Sequence, residues 1–280
     1  MAAEKPPSLP IQNTILAFLE NIPRHLRVGP WSPVAHLTLI CILGYIILTF
    51  EHAAESYDLL FHRSSLSLPS PPAWLQPYRL VAGIYMVGMT GVVLATSGVW
   101  PLASYTLTSW NLAALRNLLA FVGNLGWAVS PQVQLAADVL RFPALVGCSI
   151  TVAVWWLVLV PIIHVYSATA ENRKRFWSFN ASFPLLNLHL LNLPLCAAEF
   201  LATGRCLSFF DLWAALAIAY IYVLFYLNVL DAAGLHFYIV FTPRTMWCWV
   251  PYTIVLLSYV GIFHGWNNVL SSVGGRSCMR

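Results

Sequence analysis

The chain has 280 residues, 59% hydrophobic and 9% charged, with a formal net charge of +4. A soluble domain carries roughly 25% charged residues, so a water-facing surface over most of this chain is excluded, and the small, dispersed positive excess excludes nucleic acid as a partner. The apolar runs are continuous rather than alternating, which sets aside a β-barrel and gives an all-α membrane protein: a polytopic bundle of about seven transmembrane helices, a six-helix core plus one N-terminal helix.

In chain order, residues 1–33 read as an N-terminal tail, Pro-rich over 1–10. An amphipathic helix lying on the membrane surface is expected over 11–22, where Ile11, Ile15, Leu16, Leu19 and Ile22 share a face. The apolar run starting near Val34 comes too late for a cleavable signal peptide and reads as an uncleaved anchor. Residues 34–268 form the transmembrane domain, with spans expected near 34–50, 78–100, 105–129, 142–165, 183–202, 212–230 and 247–264. Loops are expected over 51–77, from the third span to about residue 140, and over the charged stretch 171–175; residues 269–280 are a polar tail.

Arg24, Arg27, Arg173, Lys174 and Arg175 collect on one side, the cytoplasmic one by the positive-inside rule. The sequon Asn180-Ala181-Ser182 faces the same side and is expected to stay unmodified. Cys41, Cys148, Cys196, Cys206, Cys248 and Cys278 form no CxxC pair and read as buried, reduced packing residues. No spacing calls for a metal or a cofactor.

The polar residues inside the spans carry the functional signal. Residues 187–199 hold Asn187, His189, Asn192, Pro194 and Glu199 in an otherwise apolar stretch. A charged side chain there costs about 2.5–3.5 kcal/mol on insertion scales. The third and fifth spans run in the same direction, which puts Thr108 and His189 toward the same membrane face. A threonine hydroxyl attacks an ester only when a neighbouring base takes its proton, and His189 is a base of the right kind. Glu199 lies roughly 15 Å along the helix from His189, too far to orient it. Asp231, at the end of the sixth span, is the better match in depth. Pro194 removes a backbone donor and frees a carbonyl near His189. Arg116 is expected to pair with a buried acid such as Glu199, while Arg79 and Arg141 read as positive flanks of helices within reach of a substrate carboxylate. The bland readings stay open beside these: Thr108 bonded to its own helix turn, and His189 joining helices.

These residues resemble a known family. Leu107-Thr108-Ser109-Trp110-Asn111 is similar to the Leu-Thr-x-x-Asn/Asp motif of the androgen-induced protein family of multi-pass membrane hydrolases. His189, Pro194 and Glu199 reproduce its His-x4-Pro-x4-Glu spacing. Phe142-Pro143 with Trp155-Trp156, Gly234 and Asn267-Asn268 fall in family order, so the likeness covers residues 79–268. The extra N-terminal helix marks a divergent branch. Two departures leave substrate choice open: Asp231 replaces a family histidine, and the threonine pair after the catalytic histidine is missing.

The resemblance implies cleavage of fatty acid esters of hydroxy fatty acids, with Thr108 as nucleophile and His189 as base. Asn111 and Asn192 are candidate oxyanion donors, with Glu199 and Asp231 as further supporting residues. Implied partners are membrane lipids and a lipid ester substrate, and the implied location is the endoplasmic reticulum or another endomembrane. Two rivals remain at this point. One is a non-catalytic lipid-binding or transport protein of the same fold. The other is a membrane cytochrome, for which His164 and His189 would be the pair.

Overall fold

The structure, a computed structural model, describes residues 24–58, 72–125, 130–166, 169–235, 238, 241–274 and 278. All regular secondary structure among them is helical. The surface helix expected over 11–22 lies outside the described residues.

A single turn, α1 (Arg24–Arg27), precedes α2 (Pro33–Leu48). Ser32 accepts from the amide of Ala35 to cap α2, and Pro33 sits where no intrahelical amide is needed. The chain then bends by 40° into α3 (Phe50–Asp58), so the expected 51–77 loop begins as helix. Next come α4 (Leu75–Ser97), a 3-10 turn (Trp100–Ala103) and α5 (Tyr105–Gly123), the last capped by Ser104 accepting from Leu107. The loop expected before residue 140 is partly α6 (Ser130–Val139). It runs on through α7 (Arg141–Ala153), a π-helical segment (Val154–Leu159) and α8 (Val160–Tyr166).

The charged stretch 171–175 is also helical, within α9 (Ala170–Asn180), because Thr169 caps it by accepting from Asn172. The histidine-bearing run is α10 (Phe183–Leu186), a second π-segment (Asn187–Leu191) and α11 (Asn192–Thr203). Gly204, at φ 60°, ends it in the left-handed conformation that glycine adopts freely. α12 (Phe209–Phe225) opens with Asp211 accepting from the Ser208 amide and hydroxyl, and closes in a third π-segment (Tyr226–Leu230). α13 (Trp249–Gly274) completes the bundle.

Among the described residues, four runs are long and apolar enough to cross a membrane: Leu75–Ser97, Pro131–Val165, Phe183–Thr203 and Phe209–Leu230. Counting the bent α2–α3 pair gives five, fewer than the seven expected. The difference falls on α5 and α13. Both are helices where spans were expected, at 19 and 26 residues, but neither holds a stretch apolar enough to count as a span by itself. For α5 the reason is its place. It packs against α4, α6 and α7 and buries Trp110, Arg116 and Asn117, so neighbouring helices rather than lipid surround much of it. Close approach of α5 to α7 requires Gly147, where an added Cβ would lie 2.6 Å from Ser109 Oγ. On the outside, Ile84, Leu157, Ile221 and Leu257 are exposed, as expected of surfaces that meet acyl chains.

The cysteine reading needs correction. Cys206 and Cys278 form a disulfide across a sequence separation of 72. Cys41 is free but exposed; Cys148, Cys196 and Cys248 are free and buried, as expected. Spacing did not reveal the bridge because its halves lie on separate segments, after α11 and in the C-terminal tail.

Candidate functional site

Two prolines shape the interior around His189. Pro161 follows the first π-segment and Pro194 follows the second. A proline has no amide to return to the preceding turn, and widening to π spacing is one way to accommodate the gap. With π spacing, Pro194 falls five residues after His189, and the His189 carbonyl accepts instead from Trp156 Nε1 at 2.7 Å. Trp155, next to it on the first π-segment, stacks on the imidazole with ring centroids 3.8 Å apart. Trp155 Nε1 in turn donates to Asn180 Oδ1 at 2.8 Å. The Asn180 side chain is thereby buried, with its oxygen accepting from Trp155. Asn187 donates to the Phe183 carbonyl and accepts a short bond from the Tyr85 hydroxyl.

His189 is 9% exposed, and its Nδ1 lies 3.2 Å from the Leu185 carbonyl. A carbonyl only accepts, so Nδ1 carries the proton and the neutral ring keeps its lone pair on Nε2. Three residues on, Asn192 is fully buried. Its Oδ1 accepts from the Leu193 amide, while its Nδ2 has no acceptor among the described residues. This part of the interior therefore offers a fixed base and an uncommitted amide donor one turn away.

Thr108 is placed differently. α5 packs against the π-segment Asn187–Leu191, so the third and fifth spans are neighbours. Their side chains diverge around α5, however. Asn111 accepts from Thr90 at 2.7 Å and so faces α4. Thr108 lines a hollow between α5, α7, α12 and α13, with Tyr105, Ser109, Pro143, Tyr222 and Tyr259 among its walls. The hollow holds about 20 Å³, room for about one water and far too little for an acyl chain. The Thr108 hydroxyl donates weakly to the Leu102 carbonyl at 3.5 Å. No hydrogen bond joins Thr108 to His189 among the described residues. Other hydroxyls do meet there: Tyr105 and Tyr259 lie 3.0 Å apart.

The remaining expected residues are committed elsewhere. Asp231 makes a two-pronged ion pair with Arg244, at 2.8 and 2.7 Å. Glu199 Oε1 accepts from Arg79 Nη2 at 2.6 Å and from Arg116 Nη2 at 3.0 Å, which is the buried pairing expected for Arg116. Arg79 is thus no surface flank, and neither is Arg141. The latter is 3% exposed, with its guanidinium 4.7 Å above the Phe200 ring and its donors on Thr203 and the Arg205 and Cys206 carbonyls. His164 is exposed and accepts from Trp177. Arg244 and Tyr85 were not singled out from sequence, and Asn180 only as part of the sequon, since their partners lie 13, 102 and 25 residues away at no periodic spacing.

Comparison with protein-family models, curated proteins and solved structures finds no match to this chain.

Proposed function

We propose that the chain is an intramembrane lipid ester hydrolase in which His189 is the base and Thr108 the nucleophile. The observation that carries this reading is the disposition of His189. Its Nδ1 proton is committed to the Leu185 carbonyl, its ring is held by Trp155, and its Nε2 lone pair has no protein donor among the described residues. An imidazole so held is pre-organised to take a proton and return it. Asn192 Nδ2 is a ready donor to the oxyanion of a tetrahedral intermediate. The resemblance at Thr108, His189, Pro194 and Glu199 supplies the assignment of the nucleophile and the substrate class, fatty acid esters of hydroxy fatty acids. In this scheme Thr108 forms an acyl-enzyme and releases the hydroxy acid. Water activated by His189 then frees the fatty acid. Thr108 must leave its contact with Leu102 for this, a rotation that substrate entering from the bilayer would have to drive.

The separation of Thr108 from His189 favours a second reading, a non-catalytic protein that binds or carries lipids. One experiment divides the two. Purified protein in nanodiscs is given a fatty acid ester of a hydroxy fatty acid, and released acid is quantified by mass spectrometry. Hydrolysis is expected in wild type, with a loss of 100-fold or more, on the order seen for acid–base groups, in Thr108→Ala and His189→Ala. Turnover that survives Thr108→Ala removes the nucleophile. Lipid binding without turnover in wild type establishes the second reading.

A further inference from the structure

α7 and α11, each with its adjoining π-segment, run antiparallel, and three contacts fix their register. The Arg141 guanidinium lies 4.7 Å from the Phe200 ring, Cys148 Sγ lies 3.6 Å from Cys196 Sγ, and the Trp155 ring stacks on His189. Thr151 falls between Cys148 and Trp155, three residues after one and four before the other. Asn192 falls between His189 and Cys196 in the same way. That spacing keeps each on the side of its helix that meets the other. Both are buried, and both lie about one turn from the His189–Trp155 stack.

Their polar atoms are left open. Elsewhere in the helices the hydroxyls of Thr38, Thr90, Thr96 and Ser149 donate to the carbonyl four residues earlier, the resting contact of such a side chain in a helix. Thr151 makes no such bond: its Oγ1 is sealed from solvent and has no partner among the described residues. Asn192 Nδ2 is in the same condition across the interface. Bare polar groups in an apolar interior are unfavourable, and a water between them satisfies both, provided it finds further polar partners. His189 supplies one, because its Nδ1 is committed to the Leu185 carbonyl and Nε2 is left as an acceptor.

We propose that Thr151 and Asn192 hold the hydrolytic water against Nε2 of His189, which makes Thr151 a catalytic residue of the second half-reaction. The inference rests on the hydrolase reading and names what that reading leaves open, the seat of the water. The water donates one proton to Nε2 and the other to Thr151 Oγ1, accepts from one N–H of Asn192, and keeps a lone pair for the acyl carbon. As its oxygen bonds to that carbon, Nε2 takes the first proton. The bond from the carbon to Thr108 Oγ1 then breaks, its electron pair stays on Oγ1, and the proton passes from Nε2 to Oγ1. Free fatty acid leaves and Thr108 is regenerated. The second N–H of Asn192 remains for the oxyanion.

The test compares wild type, Thr151→Val and Thr151→Ser, each full length in nanodiscs, on a fatty acid ester of a hydroxy fatty acid. Valine is close to threonine in shape and removes only an unpartnered hydroxyl, so the thermal midpoint should hold or rise. Steady-state release of fatty acid should fall about tenfold or more, the worth of one hydrogen bond lost from the transition state. The first half-reaction is untouched. One equivalent of hydroxy acid should therefore still appear in a burst, and peptide mass spectrometry should find the acyl group accumulating on Thr108. Thr151→Ser keeps the hydroxyl and should restore most of the turnover; Thr151→Ala takes the place of the valine variant if that one does not fold. Turnover in Thr151→Val equal to wild type overturns the inference alone, as does a loss of turnover with no acyl-enzyme. A wild type that cleaves no such ester removes the hydrolase reading, and the inference falls with it.

Discussion

Glu199 holds two guanidiniums on one carboxylate oxygen, and both partners come from helices that precede it in the chain. Removing it leaves Arg79 and Arg116 buried with no acid between them. Breaking a buried pair in this way costs about 3–5 kcal/mol, more than most surface ion pairs could. Glu199→Ala is therefore expected to lose most of its folded material in a thermal-stability assay, whereas Glu171→Ala, which breaks only the exposed pair with Arg175, should leave the midpoint unchanged. At this scale the sequence was partly legible. A lone acid and a lone arginine in apolar helices have few options, so the Arg116–Glu199 pair followed from cost alone. Asp231 was matched to His189 by depth, but depth does not give azimuth. The partner it found, Arg244, sits on a loop whose path no periodicity describes.

At the scale of elements, the helices were legible where apolar runs were long, and less so where polarity hid them. The third span was expected near 105–129 and α5 fills most of it, yet its inward face is polar enough to fall short as a stand-alone span. The rotation of that helix decided the candidate site. It turns Asn111 toward α4 and Thr108 toward α12 and α13, a distinction of one helical turn that the motif spacing could not resolve. Pro194 frees a carbonyl near His189, as its place in the run implies; with ordinary helical spacing that would be the Leu190 carbonyl, and π spacing makes it that of His189 itself. The α5–α7 contact offers a clean test. Gly147→Ala forces its new methyl against Ser109 and should cost about 1–3 kcal/mol, as overpacking does. Ser109→Gly in the same chain should recover most of that loss in a double-mutant cycle. Equal destabilisation with and without Ser109 would show that the two helices do not meet there.

For the whole molecule, composition alone fixed the class, and the outward apolar residues agree with it. What composition could not supply was the covalent link between Cys206 and Cys278. Disulfides persist in oxidising compartments, so the Cys206–Cys278 bridge predicts a lumenal or external side for the 204–208 connection. The run Phe183–Thr203 is long enough to cross once, and a single crossing predicts the reducing side for α9 with its Arg173, Lys174 and Arg175. The charge bias points the same way. In sealed microsomes, a cysteine placed by Lys174→Cys should react with an impermeant maleimide from outside the vesicle. Cys206 and Cys278 should react only after reduction and permeabilisation. Labelling of Cys278 in intact, unreduced vesicles would invert the arrangement.

The buried pairing also sets an order of events during synthesis. Arg116 is made 83 residues before Glu199. At about 5–20 residues per second, that gap lasts roughly 4–17 s. Throughout it, α5 carries a charge with no acid to meet it, and α4 carries another in Arg79. Neither helix is ready to be released into lipid on its own. The insertion machinery must keep both in a wet or sheltered setting until the histidine-bearing run emerges, and the three helices then close around the carboxylate that run carries.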